Sequence, residues 1–396
     1  MNPQSHRWVR LLTAGAAAVA LTVTLPAGTS TASPSTSGPH WDVVTSGLDS
    51  PRGLAVLPNG VLVVGEAGHG GPYCAGPSPQ NQTCAGLTSR ISTVNPSSGK
   101  RRTLVGNLVS IGGQEGFTGV DGVSTKGWNV YGIITGSQQG TPPGFCTGLP
   151  AACNSVFERA TKQVGRLIRA NGRGGYTSLA NVGYKNYNYI VTHPNIDPAN
   201  PDFKPGDSNP YGVSAQRKGA WVVDAGSNTL NWVSYNGQVK VLAYLPNPPG
   251  PPDQRFPYDA VPTCVVPTHN GVYIGDLAGR AWKYSHGRLR QLDTKGLTGS
   301  IQGCTADKWG NVYFVTMFNG FDPNFGFAPN TGSVTKIDTH GHASMYADGL
   351  NLPGGAVFGR DGHLYVANNS ICPTETTGLP PQLCPTSGTI VRFDND

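Results

Sequence analysis

Glutamate and lysine are scarce in this chain of 396 residues: 4 Glu and 11 Lys, with charged residues at 13% overall. Both are good helix formers, whereas the abundant Gly (55) and Pro (33) break helices. A helical bundle or helical solenoid is thereby excluded. Disorder is excluded too. Hydrophobic residues reach 37%, and Val, Ile, Tyr and Trp fall in short, evenly spaced clusters. Beyond residue 32 no apolar run approaches the roughly 18 residues of a membrane-spanning helix. There is no C-x-x-C, no G-x-S-x-G and no H-E-x-x-H, so none of the chemistries those motifs carry is signalled. What remains is a turn-rich all-β protein.

Residues 1–32 read as a signal peptide. His6, Arg7 and Arg10 form a basic start, Leu11 to Leu25 an apolar core shorter than a membrane span, and Ser30-Thr31-Ala32 a small-residue cleavage site. An uncleaved anchor is the alternative. Residues 33–39 follow as a flexible Ser/Thr/Pro leader, and residues 40–396 form the folded domain. A secreted, extracellular protein is expected, with no transmembrane span after cleavage, and as a monomer. The formal charge of +6 falls to +4 without Arg7 and Arg10. Basic residues are scattered, and Lys100-Arg101-Arg102 follows a turn, so no basic, aromatic-interleaved stripe signals nucleic acid.

All eight cysteines lie in the mature part. In an exported chain an even number implies disulfides. Cys74/Cys84, Cys146/Cys153 and Cys372/Cys384 are close pairs inside Gly/Pro/Ser-rich loops, which leaves Cys264 and Cys304.

One pattern recurs along the chain. A short apolar strand is followed by a polar turn, then by a stronger apolar strand that ends in Asp, Glu, Asn or Thr. Pro51–Val56, Pro58-Asn59-Gly60 and Val61–Glu66 make the clearest copy. Others centre on Pro262–Val266 with Val272–Asp276, Gln302–Thr305 with Asn311–Thr316, Pro353–Val357 with Leu364–Asn368, and Asn209–Val213 with Ala220–Asp224. Glu115-Gly116-Phe117 with Asn129–Ile134 is a weaker sixth. A third strand follows each copy and a fourth follows most. Four short antiparallel strands repeated radially predict a six-bladed β-propeller. The sixth unit stops after its third strand, so Trp41–Val44 is expected to complete it and close the ring. Two β-sandwiches are the alternative, opposed by the register of the repeat. One helix is expected, Ser155 to Gln163, inside the long insertion of the second unit. Cys264 and Cys304 then fall on the innermost strands of neighbouring blades, within reach of a bridge.

In a propeller, turns entering first strands and turns leaving second strands share one face. The entering set is Arg52, Glu115, Asn209 or Tyr211, Thr263, Gln302 and Pro353. The leaving set is Glu66, Asp224, Asp276, Thr316 and Asn368. Carboxylates at Glu66, Asp224 and Asp276 suggest a hard-cation site suited to Ca²⁺. Equally, acids there accept hydrogen bonds and lock blade to blade. The Asp-rich loop Asp197–Pro210 reads as Asx-turns rather than a cation loop, since it lacks the closing Glu and is broken by prolines. His69 and His193 are the histidines best placed to act as a base; the others sit in turns.

The segments Asp207–Gly212, Val222–Gly226, Val261–Thr263 and Tyr273–Gly279, with Pro51–Leu54 and Gly65–Gly68, resemble the ScyD/ScyE family of exported propellers. The resemblance covers roughly residues 41–393. It implies a six-bladed propeller whose cyanobacterial namesakes are associated with production of the pigment scytonemin. The blade pattern is shared with NHL-type and gluconolactonase-like propellers. The latter use a Glu, an Asn and an Asp around a channel cation, for which Glu115 or Glu66, Asn209 and Asp276 are the counterparts by type. The expected function is binding of a small molecule or extracellular partner on the loop-rich face. A Ca²⁺-dependent hydrolase (lactonase-like) or lyase of small cyclic substrates is the second reading, and an adhesion module the third.

Overall fold

The computed structural model describes residues 39–78, 82–113, 116–139, 144–193, 196, 207–249, 259–320, 327–375 and 381–394. Residues 1–32, expected to form a signal peptide, Glu115 and the Asp197–Gly206 stretch lie outside them. Six antiparallel sheets follow one another along the chain, and the innermost strand of each packs against those of its two neighbours. The chain is a six-bladed propeller. Blade 1 spans Pro51–Thr118, blade 2 Val120–Asn181, blade 3 Pro210–Tyr244, blade 4 Pro262–Gln291 and blade 5 Ser300–Leu350. Blade 6 is built from Ala356–Phe393 and completed by Trp41–Leu48, with Trp41 opposite Phe393, Val43 opposite Val391 and Leu48 opposite Gly388. The amino-terminal strand closes the ring as expected.

Burial falls from the second strand outward. The second strands Leu62–Glu66, Val312–Phe318 and Leu364–Asn368 are buried at every residue. They are covered on both faces by neighbouring blades, which is why they read as continuous apolar runs. The outermost strands, such as Trp41–Leu48 and Arg288–Gln291, alternate with exposed residues. Each blade junction holds its own apolar cluster. Val63, Ile91 and Val105 meet Val120, Ile134 and Ile168 between blades 1 and 2. Leu54, Leu62 and Val64 meet Leu48, Tyr365 and Ile390 at the closure.

The innermost strands approach so closely that they admit no side chain at one position. That position is Gly53, Gly122, Gly212, Gly303 and Gly355 in blades 1, 2, 3, 5 and 6. A Cβ would lie 2.8 Å from Val123 N at Gly53, 2.6 Å from Thr263 O at Gly212 and 2.7 Å from Arg52 O at Gly355. At Gly122 and Gly303 it would meet the backbone oxygens of Tyr211 and Gly354 more closely still. In blade 4 the same position is Cys264, and it is bonded to Cys304 of blade 5. Where the ring lacks a glycine, a covalent bond joins the blades.

All four disulfides pair as the sequence indicates: Cys74–Cys84, Cys146–Cys153, Cys264–Cys304 and Cys372–Cys384, with Cα separations of 4.0, 5.7, 5.6 and 5.3 Å. The three local ones brace loops on the mouth face. No helix among the described residues is long and apolar enough to cross a membrane.

Two elements depart from expectation. The helix α1 runs Ala152–Gln163, and a second helix, α2, runs Val182–Thr192. Its Val, Tyr and Ile favour strands, but the Asn181 side chain accepts the Tyr184 N–H at 3.1 Å and starts the helix. The first strand of blade 2 is Val120–Lys126, not the segment around Glu115–Phe117; Gly116–Thr118 instead pairs with the fourth strand of blade 1. The blade 2 counterpart of Arg52 and Tyr211 is therefore Asp121.

Two stability measurements test this architecture. Gly122→Ala drives a methyl against the blade 3 backbone and is expected to cost about 3 kcal/mol, the upper end of overpacking, read by denaturant unfolding. Removing Cys264–Cys304, which closes 40 residues, should cost about 4 kcal/mol in the chain-entropy model, against about 2.5 for Cys146–Cys153. A reversed order would show that the inter-blade bridge is not the main brace.

Candidate functional site

Immediately before Gly53, Gly122, Gly212, Cys264, Gly303 and Gly355, at the mouth end of the innermost strands, stand Arg52, Asp121, Tyr211, Thr263, Gln302 and Gly354. Arg52 is 6% exposed. Its Nη2 donates to Phe117 O at 2.6 Å and its Nε lies 4.0 Å from Asp121 Oδ1. The Tyr211 hydroxyl meets both Arg52 and the Gln302 amide, which donates to it. A polar bridge thus runs from blades 1 and 2 through blade 3 to blade 5. Thr263 Oγ1 donates to Ile301 O at 2.6 Å and ties blade 4 to blade 5 beside it. Burial holds the Tyr211 phenol well above its ordinary pKa, outweighing the Arg52 guanidinium. Burial likewise raises the Asp121 carboxyl, against Arg52 and hydrogen bonds from Thr118, Gly119 and Thr135. The Arg52 Nε–H has no hydrogen-bond partner among the described residues.

Of the entering set, Arg52, Tyr211 and Gln302 are in contact, and Thr263 bonds to blade 5. Asn209 bonds elsewhere: its N–H donates to Asp224 Oδ1 at 2.7 Å and its side chain accepts from Gly136 N at 2.8 Å. Asp121 was not legible, because Gly116–Thr118, which serves blade 1, mimics the start of the blade 2 strand.

The leaving carboxylates do not converge. Each takes its donors from within or beside its own blade. Glu66 takes a two-pronged contact from Arg90 at 3.0 and 2.8 Å, the Asp49 N–H at 2.8 Å and the Ser92 hydroxyl. Asp224 accepts from Asn186 Nδ2 and Ser208 Oγ at 2.7 and 2.6 Å, and from the N–H groups of Asn209 and Ser227. Asp276 accepts from Arg280 and from Trp282 Nε1 at 2.9 Å. Asn368 Oδ1 accepts from Asn351 N at 2.9 Å. Among the described residues, the group of three His or carboxylate ligand atoms within 4.8 Å of one another is His40, Asp42 and Asp394, at the chain ends.

Asp49, which the sequence did not flag, is fully buried at the corner where the closing strand enters blade 1. Its Oδ2 contacts His69 Nδ1 at 2.8 Å, and its Oδ1 accepts from Thr374 N at 3.1 Å. His69 Nε2 faces Glu375 at 3.6 Å. The histidine is thus oriented from the buried side and open on the loop-rich face, beside the Cys372–Cys384 loop.

No family model and no curated protein matches the chain. Solved structures do. Regucalcin, a calcium-binding protein from Agrobacterium tumefaciens str. C58, is 13% identical at a TM-score of 0.49, covering 90% of this chain and 93% of that one. A luciferin-regenerating enzyme is 12% identical at 0.49, covering 90% and 96%. A catalytically inactive histidine-to-alanine variant of virginiamycin B lyase from Staphylococcus aureus, with quinupristin, is 12% identical at 0.42, covering 90% and 99%. At such identities the likeness is one of fold.

Burial pushes the Asp276 carboxyl up to about 6, outweighing Arg280 and Trp282. The native state then keeps a proton that the unfolded chain gives up near pH 4. The stability from that proton is present below pH 4 and lost as pH rises through about 6. It is on the order of 3 kcal/mol, from about 1.4 kcal/mol per pKa unit. Unfolding free energy measured from pH 4 to 6.5 should fall with that component, and Asp276→Asn should remove it.

Proposed function

We propose that this chain is an exported propeller of the ScyD/ScyE type, released by cleavage after residue 32, that binds a small acceptor-bearing ligand at the loop-rich mouth. The observation that carries the reading is the buried Arg52 Nε–H, left without an acceptor among the described residues, inside a ring of Asp121, Tyr211 and Gln302. A buried charged donor without an acceptor costs free energy, and a ligand carboxylate or carbonyl would complete it. Thr263 and Asn209 flank the same mouth. The disulfide-braced loops give the surrounding surface a fixed shape, which lowers the ordering cost of binding. Glu66, Asp224 and Asp276 support the blades around the mouth, and each is already supplied with donors. Four disulfides suit an oxidising, extracellular setting.

The test is a thermal-shift and calorimetric screen of small carboxylates and cyclic amides or lactones, with and without Ca²⁺. Binding should occur without Ca²⁺ and weaken about tenfold or more in Arg52→Gln, the worth of one charged hydrogen bond. Turnover of a lactone that needs Ca²⁺ and disappears in Glu66→Gln or Asp276→Asn would replace this reading with the hydrolase.

A further inference from the structure

The face opposite the mouth is made by the turns that join first strands to second and third strands to fourth. Lys126, Arg173, Arg217, Lys218, Arg288 and Lys308 are all exposed in such turns of blades 2 to 5. Blades 1 and 6 add Lys100 and Arg360. Most acids of these turns are engaged by neighbouring donors, while Asp394 and the nearby Asp42 keep side chains 47% and 59% exposed. Asp307 accepts from Trp309 N and Asn311 N at 2.9 Å, and Asp338 from His340 N and His342 N at 2.9 and 2.8 Å. Asp361 accepts the Tyr365 hydroxyl at 2.6 Å, and Asp394 pairs with His40 at the rim. The projecting charge is therefore predominantly cationic.

Two indoles project from the same face. Trp128 is 68% and Trp309 66% exposed, the highest values among the large apolar side chains of the described residues. Both occupy the turn between first and second strands, in blades 2 and 5, which face each other across the axis. Each has a lysine beside it: Lys126 two residues before Trp128, and Lys308 with its Nζ 4.5 Å from the Trp309 ring centroid. Neither indole belongs to a core cluster, so folding does not account for them.

We propose that this face docks on an anionic lipid bilayer, with Trp128 and Trp309 entering the headgroup layer and the surrounding cations neutralising its charge. Indoles rest favourably at the headgroup level, and basic residues near an anionic surface add attraction that acts within a Debye length. The spacing favours a plane over a strand. Indoles on opposite blades meet a flat surface together, whereas a single linear polyanion follows the cations and makes no use of both rings. The mouth is then held toward solvent, where a ligand can reach it.

The described strands and helices lie within Trp41–Phe393, so the chain without residues 1–32 carries the whole propeller. That chain is mixed with phosphatidylglycerol/phosphatidylcholine vesicles or with phosphatidylcholine vesicles alone and sedimented. Binding at low salt should be at least tenfold tighter to the anionic vesicles and should be released by about 0.5 M salt. Brominated lipid should quench the tryptophan emission, which reads insertion without any substitution. W128A/W309A should melt normally and bind at least tenfold more weakly, and Lys126→Gln or Lys308→Gln about fivefold each. Absence of binding, equal binding to neutral vesicles, or no quenching overturns the proposal. So does equal affinity of wild type and W128A/W309A for dextran sulfate with no preference for vesicles, which makes the face a polyanion site.

Discussion

The close approach of six innermost strands governs this structure. Where a blade's backbone lies against the next blade's carbonyl, no Cβ fits, and Gly53, Gly122, Gly212, Gly303 and Gly355 answer that constraint. The sixth position answers it differently, with Cys264 bonded to Cys304. Because the backbones touch, the residue before each of these positions is brought toward the axis. The mouth ring of Arg52, Asp121, Tyr211, Thr263 and Gln302 is thus a consequence of the glycine ring. Five of the six blades place a side chain there, blade 6 having Gly354, and side chains meet across blades that are far apart in sequence.

The buried acids follow the same logic of closure. Removing a carboxylate from water is costly unless donors replace the water. Glu66, Asp224 and Asp276 each receive several donors from within or beside their own blade. Asp49 does this at the seam, joining the closing strand to His69 of blade 1 and Thr374 of blade 6. Carboxylates at the ends of second strands therefore anchor strand ends. Arg52 is different, because its Nε–H has no acceptor among the described residues.

Much of the fold was legible because its periodicity is local. The pairing of Pro262 with Asp276 or Pro51 with Glu66 needs only one hairpin, and the hairpin is written in consecutive residues. Closure by Trp41–Leu48 was legible as a missing strand. Blade 2 was misread by several residues because Gly116–Thr118 mimics a strand start but serves blade 1. The helix Val182–Thr192 was missed because its β-branched and aromatic residues outweigh its one local helix signal, the Asn181 cap. The repeat singled out Arg52, Tyr211 and Gln302, which the structure brings into contact, whereas Asp121, Asp49 and Arg90 were not singled out.

By itself the sequence determined the fold class, the blade number, the four disulfide pairs and the residues of five innermost strands, that of blade 2 excepted. All of these rest on short-range pattern or on a repeat that superposes equivalent positions. Only the tertiary structure decided which partners those residues take. It alone showed that Glu66, Asp224 and Asp276 stay apart while Arg52, Tyr211 and Gln302 meet. It also gathered lysines and arginines that are scattered along the chain onto one face with Trp128 and Trp309. The physical reason is radial repetition. A strand's neighbours in the chain fix its local geometry, but contacts across the axis and charge summed over a face depend on closing the ring.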